Sequence, residues 1–232
     1  MTQQFKDQGG AATMDPSALR RWLLSKYVSF RSSEGQLHKQ RQKAERRRRA
    51  DARPHVVEYF HQVDDGYSHL AAQLLQPLAE RYGVEVRCHL VRGPEGKNVS
   101  DPDLLLRLAR YDSSLIASHY GLSFPVARDA PAGQAVELAL SVLASLDATT
   151  LVQELAAVSD AFWSGDIARL EQLASGARRA EPAEVAGRLE AGTNRRAELK
   201  HYSGAMFHYE GEWYWGVDRL HYLEERLAAL GL

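Results

Sequence analysis

The sequence predicts an α/β chain ordered as a β-α-β unit, an all-helical stretch, and a closing β-β-α unit. Three observations carry that prediction. The apolar run His55-Val-Val-Glu-Tyr-Phe60 is followed by helical periodicity over 67–82 and by the alternating Val84-Glu-Val-Arg-Cys-His-Leu-Val91. Two such strands around one helix form a parallel, right-handed crossover. Residues 101–200 then carry helix signals and no strand signal. Finally, Ala205-Met-Phe-His-Tyr209 and Glu212-Trp-Tyr-Trp215 flank Glu210-Gly211 and read as an antiparallel hairpin. A helix from Val217 to Leu230 follows, with Leu220, Leu223, Leu227 and Leu230 as its buried stripe.

The 232 residues suffice for one domain plus an appendage, and 44% hydrophobic with 25% charged residues is ordinary for a soluble globular protein. No apolar run has the length of a transmembrane segment. The polar start lacks a signal-peptide core, which points to the cytoplasm. Cys88 is the single cysteine, so an internal disulfide and Cys-x-x-Cys chemistry are both excluded.

Residues 1–54 read as a helical, basic leader. Residues 1–14 are small and polar and are expected to be disordered. Asp15-Pro16 supplies an N-cap and a first-turn proline. Leu19, Trp22, Leu23, Tyr27 and Phe30 then form one apolar face, suited to packing on its own domain, on a second copy in a homodimer, or on a protein partner. Arg20, Arg21, Lys26 and Arg31 flank it and also admit a membrane-surface helix. Lys39–Pro54 holds eight Lys/Arg against two acids, a local +6 that leaves the remainder at −7. No aromatics interleave with this run, so a solvated basic helix is expected and a nucleic-acid partner is not.

Residues 55–92 and 201–232 form the expected core, with 93–200 as the helical insertion. The first core helix carries Leu70, Leu74, Leu75 and Leu78 inward and ends at Gly83, with Pro77 expected to kink it. Cys88 reads as a small buried thiol within the second strand. Gly93 to Val99 reads as a loop. Helices are expected from Asp101-Pro102 to about Leu108 or beyond, over Ala132–Leu146, Thr149–Trp163 and Asp166–Leu173, and from Pro182 to about Lys200. Arg195 and Arg196 read as a solvated helix end, or as a grip for a carboxylate near the first turn.

That turn, Phe60-His-Gln-Val-Asp-Asp-Gly-Tyr-Ser-His-Leu70, lies between first strand and first core helix. One of Asp64 and Asp65 suits the helix N-cap. Alternatively Asp65 is a general base, with Tyr67 or Ser68 as hydroxyl donors to a substrate. The nine histidines include no i, i+4 pair, so no metal site is expected, and no phosphate loop occurs.

The element order is that of a thioredoxin-like fold with an all-helical insertion between the second strand and the C-terminal hairpin. The segment Gly211-Glu-Trp-Tyr-Trp-Gly-Val-Asp-Arg-Leu220, with Leu223-Glu-Glu, resembles the closing Gly-Glu-x-Phe-Trp-Gly-x-Asp-Arg-Leu of kappa-class glutathione transferases and 2-hydroxychromene-2-carboxylate isomerases. Those enzymes belong with the DsbA-like proteins, and the resemblance covers about residues 55–230. It places Asp65 where the family carries a catalytic serine or cysteine, in a Ser-Pro-Tyr-Ser turn. Gly66 replaces the proline, and Tyr67 and Ser68 match. Asp218 matches the aspartate that holds the γ-glutamyl end of glutathione. Gly204-Ala205 stands where the family has Val and a cis proline, whose backbone pairs with the cysteinyl part of a peptide; a trans bond is expected before Ala205.

The resemblance implies glutathione, a small or peptide thiol, or an aromatic molecule as ligand, for isomerase or transferase chemistry without a redox cysteine pair. A carboxylate at position 65 opposes thiolate activation. At about 4 Å and an effective dielectric near 20, the repulsion is about 4 kcal/mol, enough to cancel what a helix N-terminus offers. The alternative of a different class is a non-catalytic binding or assembly module that uses the leader helix and basic run.

Overall fold

The computed structural model describes residues 17–31, 33–94, 101–125, 133–176 and 178–232. The chain divides into two compact units, Met1–Arg53 and Pro54–Leu232.

The first unit contains α1 (Ala18–Arg31) and α2 (Glu34–Ala50). Both the 1–14 tail and the Asp15-Pro16 cap lie outside the described residues, as does the side chain of Phe30. Leu19, Trp22, Leu23 and Tyr27 are each more than half exposed. α2 buries no residue, and Glu45 holds Arg48 at 2.8 Å and Arg49 at 2.6 Å along its own helix. The chain leaves α2 through Asp51 and through Ala52 at φ 50°.

The second unit carries the mixed sheet β2-β1-β3-β4. β1 (Val56–His61) pairs parallel with β2 (Glu85–Leu90) and antiparallel with β3 (Met206–Tyr209), which pairs antiparallel with β4 (Glu212–Trp215). α3 (Gly66–Tyr82) is the crossover between β1 and β2. Then come α4 (Pro102–Ile116), α5 (Gly133–Ser145), α6 (Ala148–Ser164), α7 (Ile167–Gly176) and α8 (Pro182–Glu198). After the hairpin a 3-10 turn, Val217–Arg219, leads into α9 (Leu220–Ala228). The expected Gly93–Val99 loop falls largely outside the described residues.

Alternation along β1 sorts the core into two faces. Val57 and Tyr59 join Leu70, Leu75, Phe207, Leu223 and Leu227 in the main cluster, which continues into α5 and α6. Phe60 points the other way, to Met206, Val91 and Trp213. Buried His69 is pushed down to about 4 by desolvation and stays neutral at pH 7. Its ring nitrogens meet Ser159 Oγ at 3.1 Å and Ser123 O at 3.2 Å, so it ties α3 to α6 and to the chain after α4. Arg226 donates to Tyr209 O at 2.8 Å and lies over the Tyr209 ring, which pins α9 to β3.

α3 continues through Pro77 to Tyr82, ending where the sequence reading puts it. Pro77 is on the exposed side, where water can meet the carbonyl that loses its donor, while Leu75 and Leu78 anchor the buried side. Arg195, partly exposed in the last turn of α8, does more than solvate a helix end. Its Nε and Nη2 grip the Glu58 carboxylate at 2.8 and 2.7 Å on the second face of the sheet, and His89 Nε2 meets the same carboxylate at 3.0 Å. These bonds outweigh burial and hold Glu58 well below the usual carboxylate range. Arg196 is buried and donates to Arg92 O at 3.0 Å. Cys88 is part-buried, and desolvation pushes its thiol up to about 12, so it is protonated and unreactive. Among the described residues no helix is long and apolar enough to cross a membrane.

Candidate active site

The β1–α3 turn is closed by Asp65 as the helix N-cap. Its Oδ1 accepts from Tyr67 N at 3.4 Å, and its Oδ2 accepts from Ser68 N at 3.1 Å and from Ser68 Oγ at 2.9 Å. Capping of this kind satisfies donors that an α-helix leaves orphaned at its start. Asp65 is nevertheless poorly solvated. Burial pushes its carboxyl up to about 6, against the lowering effect of the three hydrogen bonds, and the Asp64 charge adds to the rise. Oδ1, with only one long contact from the cap, is the oxygen with capacity left for a substrate.

Ser68 is fully buried beneath the turn. Its hydroxyl donates to Asp65 and accepts from Gln62 N at 3.2 Å and Ala205 N at 3.1 Å. One side chain thus joins the end of β1, the helix cap and the loop entering β3. Ala205 sits at φ 52°, a left-handed conformation that costs a residue with a Cβ about 1 kcal/mol. The bond to Ser68 and a second from Gly216 N to Ala205 O at 2.9 Å hold it there. No cis peptide bond occurs among the described residues. Gly204 must be glycine for space, because a Cβ would lie 2.8 Å from Gln62 Cβ.

Gly66 lets α4 approach the turn. A Cβ there would meet Ser113 Oγ at 2.8 Å, Ser113 Cβ at 3.1 Å and Ala109 O at 3.2 Å. The Tyr67 hydroxyl donates to Asp112 of α4, and burial, followed by this bond to an anion, raises the phenol well above its usual range. Tyr67 is therefore a neutral phenol that braces α4 on the turn.

These elements enclose a cavity of about 190 Å³. Its polar end is formed by Gln62, Asp64, Asp65 and Tyr67, and Gln62 Nε2 donates to Asp64 Oδ1 at 3.0 Å. Leu105, Leu106 and Ala109 of α4 make one wall, and Gly93 and Pro94 another. Gly204, Ala205 and the half-exposed Trp215 close it from the hairpin side.

Of the residues singled out in the sequence, Asp65, Tyr67, Gly204 and Ala205 line this one cavity, while Ser68 supports it from below with its hydroxyl engaged. Asp218 does not line it; its carboxylate is largely exposed and lies 3.9 Å from Arg219 Nε, though its charge acts on Tyr67. Trp215, the α4 leucines and Asp112 were not anticipated. Strand alternation carried a signal for Trp215: Tyr214 is buried, so its neighbour faces the other way. Nothing local signals Asp112, which reaches Tyr67 across 45 residues of chain. Among the described residues no cluster of three His, Cys, Asp or Glu is placed to hold a metal.

No family model and no curated protein matches the chain. The solved structures similar to it include the following two. A 2-hydroxychromene-2-carboxylate isomerase shares 21% identity at a TM-score of 0.52, over 75% of this chain and 95% of its own. A Nitrosomonas europaea protein described as a protein disulfide isomerase shares 14% identity at a TM-score of 0.50, over 76% of this chain and 97% of its own. With the strand order above, this likeness gives the chain a thioredoxin-like fold elaborated by inserted helices.

Proposed function

We propose that the chain is a DsbA-family protein, related to the 2-hydroxychromene-2-carboxylate isomerases and kappa-class glutathione transferases, that binds a small aromatic molecule and moves a proton on it. Asp65 acts as general base and then as general acid, taking a proton from one atom of the ligand and returning it at another. The net reaction is an isomerisation without a redox cysteine pair, and the reading places it in the cytoplasm. One observation carries it: the Asp65 carboxyl, pushed up to about 6, lines the cavity at the start of α3. A base whose pKa lies near the working pH combines availability with driving force. Leu105, Leu106 and Trp215 supply the apolar walls. Glutathione fits this reading poorly, since a thiolate at the helix end would meet the Asp65 carboxylate.

Asp65 binds its proton more tightly in the folded chain, about 6 against 3.8, so protonation favours folding. That contribution is complete below about pH 4, declines as pH rises toward 6, and is gone above it. Asn caps a helix as well as Asp. Asp65→Asn is therefore expected to be more stable than wild type by about 2 kcal/mol at pH 7.5, with no difference at pH 4, in urea unfolding at both values. Equal stability at pH 7.5 would remove the support for a perturbed base. In calorimetric titrations with glutathione, Asp65→Ser is expected to bind at least about tenfold more tightly than wild type, because about 1.4 kcal/mol of repulsion suffices for that. Wild-type binding as tight as the variant's would restore the thiol-dependent alternative.

The exposed apolar side chains of α1 favour a second reading, a non-catalytic module whose leader docks a protein partner or a second copy. Removing residues 1–53 would then change the oligomeric state or abolish partner capture; an unchanged oligomeric state and unchanged capture would count against it.

A further inference from the structure

Among the described residues that line the cavity, charge is of one sign only. Asp64 and Asp65 are both in its lining, and no Lys, Arg or His occurs among the described lining residues. Neither acid is neutralised by an ion pair within the cavity: Asp64 accepts from the Gln62 amide, and Asp65 from the helix start and the Ser68 hydroxyl. The rest of the lining is neutral: leucine, alanine, proline, glycine and Trp215, with the uncharged polar groups of Gln62, Tyr67 and Ser203. An anion entering this space meets two acids and, among the described lining residues, no compensating cation. An ammonium or amidinium meets acceptors, in a cavity that also holds the Trp215 indole, a ring type whose face attracts cations. The longer-range field agrees, since residues 54–232 hold 25 Asp/Glu against 16 Lys/Arg, and such an excess raises the local concentration of cations.

We infer that the ligand of this cleft carries a cationic nitrogen on a compact apolar or aromatic body, with the nitrogen at Asp64 and Asp65 and the body between α4 and Trp215. The inference rests on the cleft reading above and sets the substrate class of that site. It separates this chain from a glutathione binder, because glutathione carries two carboxylates and one amine and would enter as a net anion.

The test uses the full chain and three probes of one shape: benzylamine, benzyl alcohol and benzoate. Binding is measured by calorimetry and located by amide and indole NMR shifts. Benzylamine is expected to bind at least about tenfold more tightly than benzoate, with benzyl alcohol between them. Shifts should fall on Gly93, Gly204 and the Trp215 indole. The Asp64→Asn, Asp65→Asn double variant should lose the preference for the amine yet keep its affinity for the alcohol, which distinguishes lost charge from lost fold. Benzoate binding as tightly as benzylamine, or an amine preference that survives in the double variant, overturns the inference and leaves the cleft as a ligand site. Absence of saturable binding by all three, or shifts confined to other parts of the protein, overturns the cleft reading and the inference with it.

Discussion

Ser68→Ala is expected to destabilise the protein by about 3 kcal/mol and to drive the Asp65 carboxyl further above its present value of about 6. The hydroxyl is the acceptor that the structure gives to two N–H groups, Gln62 N and Ala205 N, and it is fully buried. A buried donor that loses its partner costs about 1–3 kcal/mol, and two are orphaned here, with some relief where the cavity admits water. Ala205 also depends on this bond to remain at φ 52°, so its strain is released by movement of the loop. The pKa follows from the third bond. Ser68 donates to the ionised carboxylate and lowers its pKa; without that donor the charged form is less favoured. Urea unfolding reads the first effect, and a carboxyl NMR titration reads the second. Should the variant fail to fold, hydrogen exchange in the wild type still decides the matter: the Ala205 amide must be protected far beyond a loop amide. Fast exchange there would mean the Ser68 bond does not hold the loop.

The parts of this architecture that depend on neighbouring residues were legible in the sequence. A short apolar run marked β1 and period-two alternation β2, turn chemistry at Glu210-Gly211 marked the β3–β4 hairpin, and Asp101-Pro102 marked the start of α4, where Asp101 accepts from Leu104 N at 2.9 Å. The turn of the candidate site was legible as well, because a strand end followed by Asp-Asp-Gly and helical periodicity places a cap there. What the sequence could not supply were relations between distant segments. Arg195 reads as a surface residue at a helix end until the fold brings Glu58 beneath it, 137 residues away. Asp65 reads as an ordinary cap until α4 and the β3 loop pack around it and strip away part of its water. Its two roles coexist: the same carboxylate satisfies the helix start and retains an oxygen toward the cavity. Ser68, which sequence matching presents as a hydroxyl for substrate, is instead engaged on three sides.

Gly192→Ala is expected to cost about 3 kcal/mol, against the gain of up to about 1 kcal/mol that alanine ordinarily brings to a helix interior. α8 crosses β2 with Gly192 directly over the strand: a Cβ there would lie 2.1 Å from Leu90 O and 3.3 Å from His89 Cβ. The obstacle is backbone within a paired strand, so no rotamer change relieves it, and the helix as a whole must lift. The consequences reach the site. Thr193 Oγ1 accepts from Arg92 N at 3.1 Å and Arg196 donates to Arg92 O, so the same helix turns fix the chain where it leaves β2 and becomes the Gly93–Pro94 wall. Lifting α8 also pulls Arg195 from Glu58 and leaves a buried carboxylate with only its histidine neighbours. Gly192→Ala should therefore weaken benzylamine binding as well as stability. Thr193→Ala, which removes one hydrogen bond without overlap, should cost only about 1 kcal/mol. Unfolding curves of the two variants that coincide would show that α8 does not press on β2 at this residue. A stable Gly192→Ala with unaltered amine binding would show that the strand exit is held by other means.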